Sequence, residues 1–126
     1  MASIRKRYEK DHRELIGLLQ CVQDAKESGP KEALKAFLLF AKRLERLIEH
    51  EENVLFPHFD EANGLASEGP TAVMRVEHRQ IRWLLAEIKE KLSRGDLRTD
   101  AEQIVLLEIL RNHQDQERAI VYPNRA

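Results

Sequence analysis

The segment HEENVLFP at residues 50–57 is partly repeated as QERAIVYP at residues 116–123, at an offset of 66 residues. The same offset aligns residues that could bind a metal or end a helix: His12 with His78, Glu51 with Glu117, and Pro57 with Pro123. It also aligns structural residues: Arg13 with Arg79, Leu18 and Leu19 with Leu84 and Leu85, Gly29 with Gly95, Leu44 with Leu110, and Phe56 with Tyr122. A single register for all these pairs predicts two copies of one hairpin.

Composition limits what the chain can be. Its 126 residues are enough for one domain with a core, and we expect a single domain over residues 1–126. Charged residues make up 34% and leave a net charge of −1, so we expect no nucleic-acid partner. The apolar runs are too short for a membrane span and the N-terminus resembles no secretory signal, so we expect no membrane partner. A single cysteine, Cys21, fits a cytoplasmic location.

Apolar residues recur every three or four positions along the chain, which predicts helices. We expect four, at about 3–27, 31–56, 71–93 and 99–123, with hairpin repeats at about 3–62 and 69–123. The second helix either ends at Phe56 or continues with a kink past Pro57. Thr99 and Glu102 predict a capping box for the fourth helix. Long helices with short loops predict an all-α, up-down-up-down four-helix bundle.

Histidines interrupt the apolar stripes of these helices. His12 and His78 each occupy a core-facing position, where an imidazole without a partner would cost about 1–3 kcal/mol. His113 and Glu117 are four residues apart and project from the same face of the fourth helix. Glu51 is the counterpart of Glu117 on the second helix. All four helices therefore direct a ligand type toward one point, and mixed imidazole and carboxylate ligands suit iron, manganese or zinc.

The sequence resembles the hemerythrin-like (HHE cation-binding) domain family over nearly its whole length. The resemblance rests on four segments: KDHREL at 10–15, EHEENVLFP at 49–57, GPTAVMRVEHRQIRWLL at 69–85, and HQDQE at 113–117 with the following VYP. It implies a hemerythrin-like four-helix bundle with a non-haem di-iron site, built in this family from histidines and two bridging carboxylates. The residues that match family ligand positions are His12, Glu51, His78, His113 and Glu117.

Five ligand types match, where a full di-iron site of this family uses about seven, and a further histidine that the family often has in the third helix region has no counterpart here. Leu47 stands where the family has a histidine four residues before the bridging glutamate, and the internal repeat agrees, since His113 falls on Leu47. We therefore expect a second metal to be held less firmly than in members with a full ligand set. His50 is the nearest substitute and is a candidate ligand if the second helix rotates or bends; otherwise it is a rim histidine in a charged run. His58 is better explained as a surface residue.

The resemblance implies iron as cofactor and a role in binding O2 or a similar small ligand, in O2 or redox sensing, or in iron handling. It does not imply turnover of an organic substrate, and we expect no enzyme. The alternative is a metal-free or single-metal interaction module. Trp83 lies about 140° from His78 around the third helix and so faces outward, where it is a candidate contact for a homodimer.

Overall fold

The computed structural model describes residues 4–64 and 69–117. Over these ranges the backbone is almost entirely helical and forms no strand. The helices in chain order are α1 (Ile4–Ala25), a 3-10 turn (Lys26–Ser28), α2 (Pro30–His50), a π-helical segment (Glu51–Leu55), α3 (Phe56–Ala62), α4 (Pro70–Ser93) and α5 (Asp100–Gln116). The predicted helices are thus present, and the fourth is described as far as its first seventeen residues; its predicted end near Pro123 lies outside the described residues.

The second helix of the prediction continues past Pro57 as a rod made of α2, the π-helical segment and α3. The backbone stays in the right-handed helical region at both junctions, and the N–H of Phe56 donates to the carbonyl of Glu51, five residues back. Such wide turns insert one extra residue and rotate the faces that follow. Glu51 opens this turn, and Glu117, its repeat counterpart, also has π-helical backbone.

The predicted capping box at the start of α5 is wrong. Thr99 does precede the helix, but its backbone is not extended, and its hydroxyl donates to Oε1 of Gln103 at 2.6 Å and accepts no hydrogen bond from a backbone N–H of the first turn. Glu102 forms an ion pair with Lys91 of α4 instead of reaching back to Thr99. A capping threonine needs extended backbone to aim its oxygen at the first turn, so this helix begins without that support.

The bundle has four rods: α1, the composite rod of α2, the π-helical segment and α3, then α4, and α5. They pack in a closed cycle, with α1 against α2, α2 against α4, α4 against α5, and α5 against α1. Short connections make sequence neighbours antiparallel, which confirms the all-α, up-down-up-down four-helix bundle. The largest fully buried apolar side chains come from α2, α3, α4 and α5 and include Phe37, Phe40, Leu44, Ile48, Phe56, Met74, Ile81, Ile88, Leu106 and Leu110. No helix among the described residues has the length and apolar character needed to cross a membrane.

Candidate metal centre

The five residues predicted as ligands from family positions meet inside the bundle. His12, Glu51, His78, His113 and Glu117 are all buried, each at most 2% exposed. They form two groups of potential metal ligands, and in each group the donor atoms lie within 4.8 Å of one another. The first group is Glu51, His78 and His113, and the second is His12, Glu51 and Glu117. Glu51 belongs to both, so the two groups form one centre.

The first group converges tightly. Nε2 of His78 lies 2.8 Å from Oε1 of Glu51 and 3.1 Å from Nε2 of His113. Nε2 of His113 is 3.1 Å from the same Glu51 oxygen and 2.7 Å from Oε1 of Glu117. Ligand atoms at right angles around a metal about 2.1 Å away lie about 3 Å from each other. These separations therefore match adjacent positions around one ion.

The outer nitrogens of both histidines are held by acidic side chains. Nδ1 of His78 lies 2.7 Å from Oε2 of Glu52, and Nδ1 of His113 lies 2.9 Å from Oε1 of Glu77. Carboxylates accept hydrogen bonds, so each Nδ1 carries the hydrogen. Each Nε2 then faces the centre, with its lone pair available once no proton is bound there. This is the arrangement in which an outer carboxylate orients a metal-binding histidine.

A chain of charges extends from His78 to the surface. Arg82 donates to Glu52 at 3.4 Å and to Glu45 at 3.0 Å. Partial burial opposes ionisation of Glu52, but the hydrogen bond from His78 and the Arg82 guanidinium lower its pKa. Glu52 therefore stays an acceptor for the Nδ1 hydrogen.

Without a metal, the centre must hold protons to be stable. Burial alone would lower the pKa of His113. Hydrogen bonds with the carboxylates of Glu117, Glu51 and Glu77 raise it instead, to about 12. Burial raises the pKa of Glu51, and its hydrogen bond with Glu117 raises it further. Burial raises the pKa of Glu117, but hydrogen bonds with Glu51 and His113, together with the nearby His12 imidazole, lower it overall. A proton thus sits where two imidazole nitrogens and a carboxylate oxygen meet, which is where a cation fits.

Two buried atoms support the same conclusion. Nε2 of His12 and Oε2 of Glu51 have no hydrogen-bond partner among the described residues. The nearest acidic oxygen to His12 Nε2 is Oε2 of Glu117, at 3.6 Å, beyond hydrogen-bonding distance. Leaving such groups unpaired costs about 1–3 kcal/mol each. A metal ion bound by His12, Glu51 and Glu117 would satisfy both atoms, so the residues present fit a metal.

A sequence profile for the Hemerythrin HHE cation binding domain matches residues 3–124. The chain belongs to this family. Comparison with curated proteins and with solved structures gave no match. Membership confirms the resemblance found in the sequence, and with the two ligand groups it identifies the buried cluster as the candidate cation site of a hemerythrin domain.

The two halves of this hemerythrin centre differ at one position. In the second hairpin Glu77 holds the Nδ1 of His113. The repeat offset of 66 places Asp11 at the position of Glu77 and Leu47 at the position of His113. Asp11 has no hydrogen-bond or ion-pair partner among the described residues and lines a cavity together with Leu47. The first hairpin has therefore kept the supporting acid and lost the histidine.

The structure does not bring His50 into the hemerythrin centre. Its ring is exposed and stacks on Tyr8, with ring centroids 5.6 Å apart. The π-helical turn begins only at Glu51, so the backbone before it is not rotated, and His50 keeps the outward direction that regular helix geometry gives it. His58 is also exposed. Both line the same cavity as Asp11, outside the two ligand groups.

Three supporting residues were not anticipated from the sequence. Glu52 and Glu77 hold the histidines, and Phe56 stacks on His78 with centroids 5.4 Å apart and an angle of 17° between the rings. Phe56 also meets the edge of His113 and carries Arg75 over its outer face. The repeat held a signal for Glu77, because an acid precedes the histidine in both hairpins. No comparable signal marks Glu52, whose role depends on the widened turn.

Proposed function

We propose that this hemerythrin domain binds non-haem iron at the buried centre and acts in O2 or redox sensing or in iron handling. The observation that supports this most strongly is the convergence of His78 Nε2, His113 Nε2 and Glu51 Oε1, with each Nδ1 fixed by a carboxylate. Mixed imidazole and carboxylate ligands suit iron better than magnesium or calcium. Bound iron would supply O2 or one-electron chemistry; we expect no turnover of an organic substrate.

Different residues would bind the metal, offset its charge and shield it from water. His78 and His113 provide neutral nitrogen ligands, and Glu51 and Glu117 provide charge that offsets a cation. Phe56 is fully buried against both histidines. Apolar walls of this kind lower the local dielectric and strengthen the attraction between the carboxylates and a cation.

We propose unequal occupancy of the two ligand groups. Glu51, His78 and His113, with Glu117 within reach, offer four donors to a first ion. His12, Glu51 and Glu117 offer a second ion one nitrogen and shared carboxylates, with Leu47 where a further ligand would stand. A second ion there would have more of its coordination left to water or to a small ligand.

The test is metal content combined with spectra. The chain is expressed in iron-rich medium, dialysed against a mild chelator, and analysed for iron per chain without O2 and after admitting air. We expect about one firmly held iron, and near-ultraviolet absorption that changes with O2. His113→Ala should remove both signals, whereas His58→Ala, at an exposed histidine outside the centre, should leave them intact.

A second candidate is a single-metal or metal-free interaction module that forms a homodimer through α4. It is favoured by the exposure of Trp83 at 63%, on the same helix as exposed Val73 and Val76. Exposed tryptophan is enriched where proteins meet. A colourless protein whose melting temperature is unchanged by chelation would support this module and reject the iron proposal. Sedimentation of the Trp83→Ala variant would then show whether the dimer depends on that face.

A further inference from the structure

A cavity of about 630 Å³ lies between α1 and α2, outside the two ligand groups. Its inner wall is apolar and contains Tyr8, Leu15 and Leu47, while Val54 and Leu55 of the π-helical segment border it lower along the rod. The volume is in the range of pockets that bind small organic molecules. Because the wall is largely hydrocarbon, the part of a ligand that it would cover is apolar.

Basic side chains surround the mouth of this cavity. Arg7 on α1 and Arg43 and Arg46 on α2 all line it. Arg43 is engaged by Glu14, whereas Arg7 and Arg46 have no ion pair with any described residue. The guanidinium group presents paired donors that match a carboxylate or phosphate.

The balance of charge at the mouth fits a ligand with a single negative charge. Of the three arginines, one is neutralised by Glu14 and a second is offset by Asp11, which lines the same cavity. Counting only the arginines and the two acids, one positive charge remains. A phosphate with two charges would leave an excess of negative charge beside Asp11, whereas a carboxylate would not.

We propose that this cavity binds an organic monocarboxylate, with its carboxylate held at the mouth by Arg7 and Arg46 and its hydrocarbon chain against Tyr8, Leu15 and Leu47. The site is separate from the metal ligands and does not depend on the iron proposal, because its anion-binding groups lie on the outer rim. Its inner wall includes Leu47, so a bound chain would lie beside the half of the centre that lacks a histidine.

The experiment uses octanoate as probe and isothermal titration calorimetry on the full chain, both iron-loaded and metal-free. Octan-1-ol tests the need for charge, acetate the need for the chain, and octyl phosphate the choice of head group. We expect octanoate to bind both forms, and to bind at least about tenfold more tightly than octan-1-ol, acetate or octyl phosphate. Loss of one charge-assisted hydrogen bond is worth about tenfold or more in affinity.

Two variants make the test specific to the mouth. Arg7→Gln and Arg46→Gln should each weaken octanoate binding about tenfold, while Arg79→Gln, an exposed arginine of α4 away from the cavity, should not. Circular dichroism should show the same helix content in all three. Equal affinity for octan-1-ol, tighter binding of octyl phosphate, binding only to the iron-loaded form, or no effect of the Arg7 and Arg46 changes would each overturn the proposal.

Discussion

At the scale of single residues, the difference between the two halves of the centre depends on Leu47 and on Asp11, which lines the same cavity. Asp11 and Glu77 are repeat counterparts, but only Glu77 has a histidine to hold. Leu47 occupies the place of that partner and is 9% exposed at the cavity wall. The first hairpin therefore lacks a ligand while keeping the group that would orient it.

Replacing Leu47 with histidine should raise the occupancy of the second metal. The new imidazole would lie one helical turn before Glu51, and Asp11 is available to fix its Nδ1 as Glu77 fixes that of His113. We expect iron per chain to rise from about one toward two after dialysis against chelator. Leu47→Gln is the matched control, since it is polar and of similar size but a poor iron ligand; equal gains in both variants would contradict the explanation.

Removing the charge of Glu77 should weaken the first metal without unfolding the chain. Glu77→Gln keeps the size of the side chain but no longer supports His113 as an anionic acceptor, and losses of this kind cost about 10- to 100-fold in metal affinity. The measurement is competition with a chelator of known strength. Glu90→Gln, at a surface pair with Arg94, is the control and should leave the affinity unchanged.

At the scale of the helices, periodicity predicted where the rods lie but not how they are shaped at the centre. On α4 the residues that recur every three or four positions are all buried, as their spacing predicts: Met74, His78, Ile81, Leu85, Ile88 and Leu92. The sequence predicted a possible kink at Pro57 but not the π-helical segment. One inserted residue shifts the spacing of apolar residues in the same way as a bend in the helix, so the two cannot be told apart from the pattern. The capping box shows the same limit. Thr99 and Glu102 are the residue types that a capping box needs, but the backbone of Thr99 does not have the extended conformation that a capping threonine needs.

Two glycines provide a matched test of the helix ends. Gly95 follows α4 with φ of 83°, a left-handed conformation that other residues adopt at a cost of about 1–2 kcal/mol. Gly17 lies within α1, and a methyl group there would meet no atom within 4 Å. Gly95→Ala should therefore lower the free energy of unfolding, while Gly17→Ala should raise it by about 0.5–1 kcal/mol. Denaturant unfolding of both variants measures this, and the same sign in both would refute it.

At the scale of the whole molecule, the bundle and the convergence of five residues at family ligand positions followed from the repeat and the family resemblance. What the sequence could not supply was the role of Glu52, the histidine that Glu77 contacts, and the cavity between α1 and α2. Those depend on which side chains from different rods meet, and no spacing within one helix reports this. His50 illustrates the point, because its nearness in sequence to Glu51 did not make it near the centre in space.

Metal binding by the folded chain should strengthen as the pH rises. In the metal-free protein the pKa of His113 is raised to about 12 and the pKa of Glu51 is also raised, so protons occupy the centre at neutral pH. The proton on His113 stabilises the metal-free fold below the ordinary histidine pKa, and this contribution is lost as the pH rises toward 12. A metal must displace the protons at the centre.

We therefore expect affinity to rise by about tenfold per pH unit for each proton released. Anaerobic calorimetry with ferrous iron, in buffers with different heats of ionisation, counts the protons directly. An affinity independent of pH from about 6 to 8, with no proton release, would contradict the arrangement of charges described here.

Because Glu51 belongs to both ligand groups, two ions bound at this centre would not be gained or lost independently. An ion held by His78 and His113 would require Glu51 to lose its proton and would fix the direction of its carboxylate, so a later ion would meet a ligand that is already ionised and oriented. By thermodynamic reciprocity, the later ion would in turn tighten the hold on the earlier one. Metal would bind first at the group that contains His78 and His113 and would leave first from the group that contains His12, so the centre would assemble in a fixed order.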